Sequence, residues 1–427
     1  MTGIRWFGDL RLVDGDGAMG DAPMSLGVDS DGRIAWIGPA DHAPVDENRS
    51  IADCDGLVVV PGLIDAHVHL FRVSDDDPRG TYLAASDEER MAVGRANARL
   101  ALAAGVTTAR DLGGPASLMR QLADEVAVDV SAGPNLVWSG APVTRIGGDD
   151  HYFGGEVADR QAAVRLVDEQ CDLGAGLVAM VVSGGGLTPG TSPARVELDI
   201  EIMRAVCARA EQRGVAVVAR CHATAGMVAC RDVGVTTIEH ASFLEADGVV
   251  RFDPSVAASL VSAGVSIGPT LFAAQQALAR YQASGIANPD DVFAMTRLEA
   301  RTDNFRSWLA AGVDFAAGSA SGYLDVPASS LVNEAVAYVA AGMTPADALR
   351  AITAGNAAAI GRDDLGTLEV GRRADFVVVD RSPLDDITAL RDPVAVVRGG
   401  HVVAGELGGV RGQDFSTQQV SPVREEH

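Results

Sequence analysis

The chain has 427 residues, 34 basic against 58 acidic, a formal net charge of −24 and 47% hydrophobic content, enough for one large domain and a smaller companion. The acidic balance argues against nucleic-acid or anionic-membrane partners, which need a basic footprint. No apolar run reaches the roughly 18 residues of a membrane span, and "MTGIRWFGDL" lacks the basic and apolar regions of a signal peptide, so a cytoplasmic protein is expected.

Residues 1–57, with "RWFGDLRLVDGD", "SLGVDSDGRIAWIG" and "SIADCDG", read as short strands joined by Gly and Asp turns. From 58 to 362 the pattern changes to β-rich runs alternating with Ala-rich stretches of helical period, which predicts parallel strands with crossover helices. The eight strand candidates are "LVVVPGLIDAHVH", "VTTARDLG", "NLVWSGAPVT", "GLVAMVVSGG", "VAVVARCHA", "VTTIEHAS", "VSIGPTL" and "VDFAAGSA". Helix candidates between them include "DEERMAVGRANARLALAAG", "DRQAAVRLVDEQCDLGAG", "LDIEIMRAVCARAEQRG" and "VFAMTRLEARTDNFRSWLAAG", several ending in a Gly placed as a C-cap. This is the count and order of a (β/α)8 TIM barrel.

Residues 363–410, with "GTLEVGRRADFVVVD" and "VAVVRGGHVVAGE", return to the style of the first flank, so both chain ends are expected to build one small β-sandwich domain. Residues 411–427 are polar and aperiodic and read as a flexible tail holding His427; His42 and His401 read as ordinary residues of the β flank.

In such a barrel the active site lies at the C-terminal ends of the strands, where His67, His69, Arg220, His222 and His240 fall. His67 and His69 are separated by one residue and share a strand face, so they can chelate one cation. Arg220 has two readings: a fixed cation that binds a substrate carboxylate or an oxyanion, or a structural partner of an inward acid such as Asp111. Smaller expectations fall on Ser183, Gly184 and Gly185, whose glycine-rich turn offers backbone N–H groups to an anion, and on His151, Tyr152 and Ser319 as substrate contacts. Cys221, next to His222 on a strand, should face away from it and be a buried thiol. The five cysteines form no CxxC pair and suit a reducing compartment. Every basic side chain is arginine; the chain contains no lysine, so none can serve as nucleophile, base or carbamylated metal bridge.

The runs "VVPGLIDAHVHL", "GVTTARDLGG", "VVSGGG", "GVTTIEHASFLE", "GMTPADALRAITAGNAAAIGR" and "GTLEVGRRADFVVVDRSPLDDI" together resemble the amidohydrolase superfamily, in its imidazolonepropionase-like and prolidase-like branch. That resemblance implies the barrel, the flanking β domain, hydrolysis of a C–N bond and a two-metal site. The implied ligands are the first-strand HxH, a carbamylated lysine on strand four, a histidine each on strands five and six, and an aspartate on strand eight. His67, His69 and His240 match; Ala179 stands at the lysine position, Arg220 at the first strand-five position with His222 at the second, and Ala320 at the aspartate position.

Three functions follow. The first is an amidohydrolase acting on an amide, cyclic amide or peptide-like C–N bond with one zinc or other divalent ion at most, held by His67, His69 and His240, or none. The second is a metal-free enzyme in which His67, His69, His222 and His240 titrate near neutrality beside Arg220 and drive cyclisation, elimination, isomerisation or decarboxylation. The third is a catalytically silent small-molecule binding protein. A small-molecule substrate and a homo-oligomer are expected in either catalytic case.

Overall fold

The computed structural model describes residues 4–13, 22–44, 51–54, 56–185, 188–284, 289–408 and 410–412; most of the tail, including His427, lies outside them. The fold is α/β. Two purely parallel sheets carry the middle of the chain: Leu63–Val68, Val106–Asp111 and Asn135–Trp138 in one, and Leu177–Val181, Ala216–Ala223, Thr237–Leu244 and Ser266–Gly268 in the other. The strand residues are Val-, Ile- and Ala-rich and almost wholly buried, as parallel strands covered on both faces must be. Single parallel bridges continue the pairing between the sheets, Val143 to Met180, Ile267 to Phe315 and Val68 to Ser321.

Helices follow the strands where local signals start and stop them. Ser86 and Glu89 make a reciprocal capping box for Asp87–Ala103, Asp159 and Asp199 cap Arg160–Asp172 and Ile200–Arg213, and Gly214 and Gly234 end helices in the left-handed conformation. Thr344 caps the helix that Pro345 begins, its hydroxyl accepting from the Asp347 N–H at 3.1 Å.

The chain ends meet in a nine-stranded sheet. Arg5–Leu12, Met24–Val28, Ile34–Pro39 and Ile51–Asp53 join Phe376–Val379, Ala395–Arg398, His401–Leu407 and Val410–Arg411, with Val58–Pro61 bridging the two groups. The run expected as one strand, "LVVVPGLIDAHVH", is therefore divided. Val58–Pro61 pairs with Phe376–Val379, and the chain crosses to the parallel sheet at Gly62, where a side chain would collide with Thr107.

The eighth strand expectation, "VDFAAGSA", also differs: among its residues only Phe315 is bridged, to Ile267, and the next bridge falls just beyond it, at Ser321. The buried Asn356 of "AITAGNAAAIGR" supplies bonds a ladder would have made. Its amide donates to Ile64 O at 2.5 Å and Ala317 O at 2.7 Å, and its carbonyl accepts from the Ala317 N–H at 2.7 Å.

Candidate active site

Beyond the C-terminal ends of the parallel strands lies a cavity of about 70 Å³. His67, His69, Arg220, His222 and His240 all line it, together with Arg72, Gly185, Thr270, Arg297, Arg301, Ala320 and Tyr323. The backbone is strained around it: Asp150, His240, Ala241, Thr270 and Ala320 have positive φ, from 41° to 70°, a conformation that costs non-glycine residues of order 1–3 kcal/mol each and clusters at functional sites.

His67 and His69 are fixed from behind. His67 Nδ1 lies 2.8 Å from Glu239 Oε2, and the other oxygen of this buried carboxylate accepts from Arg110 Nη2 at 2.8 Å. His69 Nδ1 lies 3.3 Å from Gly113 O, which can only accept. Both Nδ1 atoms therefore carry hydrogen, and both Nε2 atoms point into the cavity, 3.3 Å apart. Two bare lone pairs repel at that distance, so a positive charge, a proton or a cation, belongs between them.

His222 and His240 stack, with ring centroids 4.4 Å apart and planes within 3°. Hydroxyl groups hold them: His222 Nδ1 lies 2.9 Å from Ser242 Oγ, and His240 Nδ1 lies 2.8 Å from Thr270 Oγ1. Burial first, then neighbouring charge, keeps three imidazoles neutral: Arg72 acts on His69, Arg301 and Arg297 on His222, and Arg220, after His222 itself, on His240. The expectation that all four histidines titrate near neutrality is corrected for His69, His222 and His240, whose pKa values sit well below the ordinary histidine value.

Arg220 is also placed differently from the expected pairing. It meets Asp149 and Asp150, at 2.9 and 3.1 Å, rather than Asp111. Asp111 accepts from the Leu70 and Gly113 N–H groups at 2.8 and 2.9 Å, shaping the turn beneath His69, and burial pushes its carboxyl up to about 7. The close approach to Asp149 lacks hydrogen-bond geometry and leaves both Asp149 oxygens without a donor, whereas the Asp150 contact is a hydrogen bond. Asp150 also pairs with Arg72 and accepts from the Tyr152 hydroxyl at 3.0 Å. Burial alone would raise the Asp150 carboxyl, but Arg72 and Arg220 hold it well below the usual carboxylate range.

The smaller expectations divide. Gly185 lines the cavity, and a Cβ there would strike the ends of the Asp149 and Arg220 side chains, which would have to move. The Ser183 and Gly184 N–H groups donate to Arg220 O and Ser192 O, and the Ser183 hydroxyl accepts from the His222 N–H, so neither N–H is free for an anion. Gly186 and Leu187 of the same turn lie outside the described residues. His151, bonded to Gly148 O at 2.9 Å, and Tyr152 stand behind Asp150 and do not line the cavity. Ser319 is buried beneath it, its N–H donating to Asp65 at 3.0 Å. The Cys221 thiol turns away, 3.4 Å from Ala223 O.

Arg72, Arg297, Arg301 and Glu239 were not expected. The signal for Arg297 and Arg301 was present: two arginines at i and i+4 share one face of the helix Pro289–Ala311.

A catalytic zinc needs about three protein donors and an open position. His67 and His69 are oriented to share a cation, but among the described residues no three His, Cys, Asp or Glu side chains are arranged to hold one. Ala320 offers no donor and Arg220 brings a positive charge to the same mouth. The residues present do not fit the group.

Residues 58–403 match the model of the amidohydrolase family. The chain belongs to this family and is an enzyme of the amidohydrolase superfamily. It is 26% identical to the ochratoxinase of Aspergillus niger over 94% of this chain and 87% of that one, and 24% identical to the imidazolonepropionase of Salinispora tropica over 89% and 93%. Among solved structures, a Xaa-Pro dipeptidase superposes with a TM-score of 0.84 at 23% identity, over 94% of this chain and 100% of that one, which shows a shared fold. No helix among the described residues is long and apolar enough to cross a membrane.

Proposed function

We propose that this chain hydrolyses an amide, cyclic amide or peptide-like C–N bond of a small molecule, with proton transfer carried by its own histidines. The observation that carries the reading is the facing pair of Nε2 atoms of His67 and His69, 3.3 Å apart, in a cavity also lined by Arg220. The two parallel sheets and the bridges at Val143, Ile267 and Ser321 support reading residues 58–362 as a (β/α)8 barrel, and the nine-stranded sheet supports a companion β domain from 1–57 and 363–410. The names of the relatives, an ochratoxinase and an imidazolonepropionase, support C–N bond chemistry.

In this reading the shared proton stays nearer His67, because the buried Glu239 carboxylate faces that ring. Once the His67 Nε2–H is engaged by the substrate nitrogen, the neutral His69 has its Nε2 lone pair free and takes a proton from water as the oxygen adds to the carbonyl carbon. The Arg220 guanidinium faces the developing oxyanion. Collapse of the tetrahedral intermediate breaks the C–N bond, and the His67 Nε2–H protonates the departing nitrogen. The chain's lack of lysine leaves no place for a lysine-bridged metal pair.

The test is a panel of N-acyl amino acids and small cyclic amides, scored by release of free amine. Hydrolysis that survives exhaustive chelation and is lost in H69A supports the reading. Activity abolished by chelation and restored by zinc refutes the proton-only mechanism, and no hydrolysis of any member refutes the function.

A further inference from the structure

The cavity is far more cationic than its chain. Four arginines, Arg72, Arg220, Arg297 and Arg301, line it in a protein of net charge −24. Arg72 and Arg220 are neutralised by Asp149 and Asp150. The other two are not. Arg297 makes no hydrogen bond or ion pair with any described residue, and its charged neighbour in the mouth is a third arginine, Arg220.

Arg301 is 7% exposed and spends only its Nη2 on the protein, donating to Pro269 O and, at 3.3 Å, to Thr270 Oγ1. The carboxylate whose charge acts on it, Glu334, is already used: its oxygens accept from the Leu271 and Phe272 N–H groups at 2.7 and 2.6 Å. Burial, only partly offset by Glu334, brings the Arg301 guanidinium down to about 10, the mark of a cation that lacks a counter-ion. Leaving such a charge unpaired is costly, and supplying a carboxylate recovers that cost.

We propose that Arg297 and Arg301 form a carboxylate subsite that selects an anionic, apolar-bodied substrate; the proposal rests on the hydrolytic reading above and names its substrate class. The two guanidiniums project from one helix face four residues apart, so a single carboxylate can accept from both. Arg301 reaches the reacting groups through Thr270, whose hydroxyl also holds His240, and the His240 ring centroid lies 5.6 Å from that of His67. The carboxylate therefore sits on the His222 and His240 side of the cavity and leaves the scissile bond over His67 and His69. Ala273, Ala274 and Ala277, from the helix Leu271–Ser284, give the intervening wall its apolar face, and Tyr323, its hydroxyl raised by burial and so protonated, adds a neutral donor.

The experiment is calorimetric titration of the intact protein with N-acetyl-L-phenylalanine and with the uncharged N-acetyl-L-phenylalanine amide, in the parent, R297Q and R301Q. The acid should bind at least about tenfold more tightly than its neutral amide, and R297Q should remove that preference, since the loss of one charge-assisted pair reads as about a tenfold change or more. R301Q should do the same, and R297Q, at the less buried position, decides the matter if R301Q does not fold. Equal affinity for acid and amide in the parent, or an unchanged preference in R297Q, overturns the subsite while leaving hydrolysis of neutral amides intact. Acid-selective, Arg297-dependent binding supports the subsite even if no amide on the panel is cleaved, a result that would refute only the hydrolytic reading.

Discussion

Replacing Glu239 with Gln tests the arrangement behind the His67 and His69 pair. Glu239 is 1% exposed and its two oxygens serve two donors, His67 Nδ1–H and Arg110 Nη2–H, each at 2.8 Å. A glutamine of the same shape has one acceptor and one donor, so its NH2 must face either the imidazole N–H or the guanidinium. Breaking a buried pair in this way costs about 3–5 kcal/mol. With an unfolding entropy of about 2.1 cal/mol/K per residue, a chain of this length should melt lower by about 3–6 °C.

Turnover should suffer more than stability. Without the carboxylate charge, His67 has no counter-ion when it holds the shared proton, and its Nδ1–H keeps an acceptor only if the glutamine NH2 is turned on Arg110; proton transfer of this kind contributes about 10²–10⁴-fold. The assay is amine release by E239Q on the best N-acyl amino acid of the panel, with calorimetric binding of the same acid as a control that should not move. Adding R110M to E239Q should recover part of the stability, because no buried charge is left alone, and none of the turnover. Parental turnover in E239Q would refute the role assigned to Glu239, and so would a melting point within about one degree of the parent's.

Three further outcomes are expected. G185A should keep the fold but displace the Arg220 and Asp149 side chains that its Cβ would strike, lowering turnover by about tenfold or more, whereas parental kinetics would show that Arg220 is not in the chemistry. Asp65 is fully buried, with one oxygen unpartnered and its carboxyl raised by burial from 3.8 to about 6. The folded state holds that proton longer than the unfolded chain, so this contribution is whole below about pH 4 and is lost as pH rises to about 6; relative to D65N, the parent should lose about 3 kcal/mol over that interval in denaturant titrations, and parallel curves would contradict it. The double variant R220H A320D returns donors to two positions that line the cavity and should raise zinc bound per chain by elemental analysis, while unchanged metal content would show that these side chains do not converge.

What the sequence made legible follows from how local each signal is. The parallel strands were readable because each is a contiguous apolar run, and the five cavity residues expected from their C-terminal ends do line one cavity. Glu239 was missed because strand alternation sends neighbours to opposite faces, so pointing His240 at the mouth sends Glu239 away. The positive φ of His240 and Ala241, 70° and 41°, breaks the alternation, and both side chains reach the His67 side of the site. The partners of Arg220 were missed for a related reason: Asp149 and Asp150 follow a loop whose turn depends on a left-handed Asp150, φ 59°, which no pattern in the chain announces. Arg297 and Arg301 had a visible helical spacing, but an i, i+4 arginine pair on a helix ordinarily faces water. The packing of Pro289–Ala311 against Leu271–Ser284, Pro254–Ser262 and Thr237–Leu244 turns that face inward, and with it the charge of the cavity is set by a helix far along the chain from the histidines it serves.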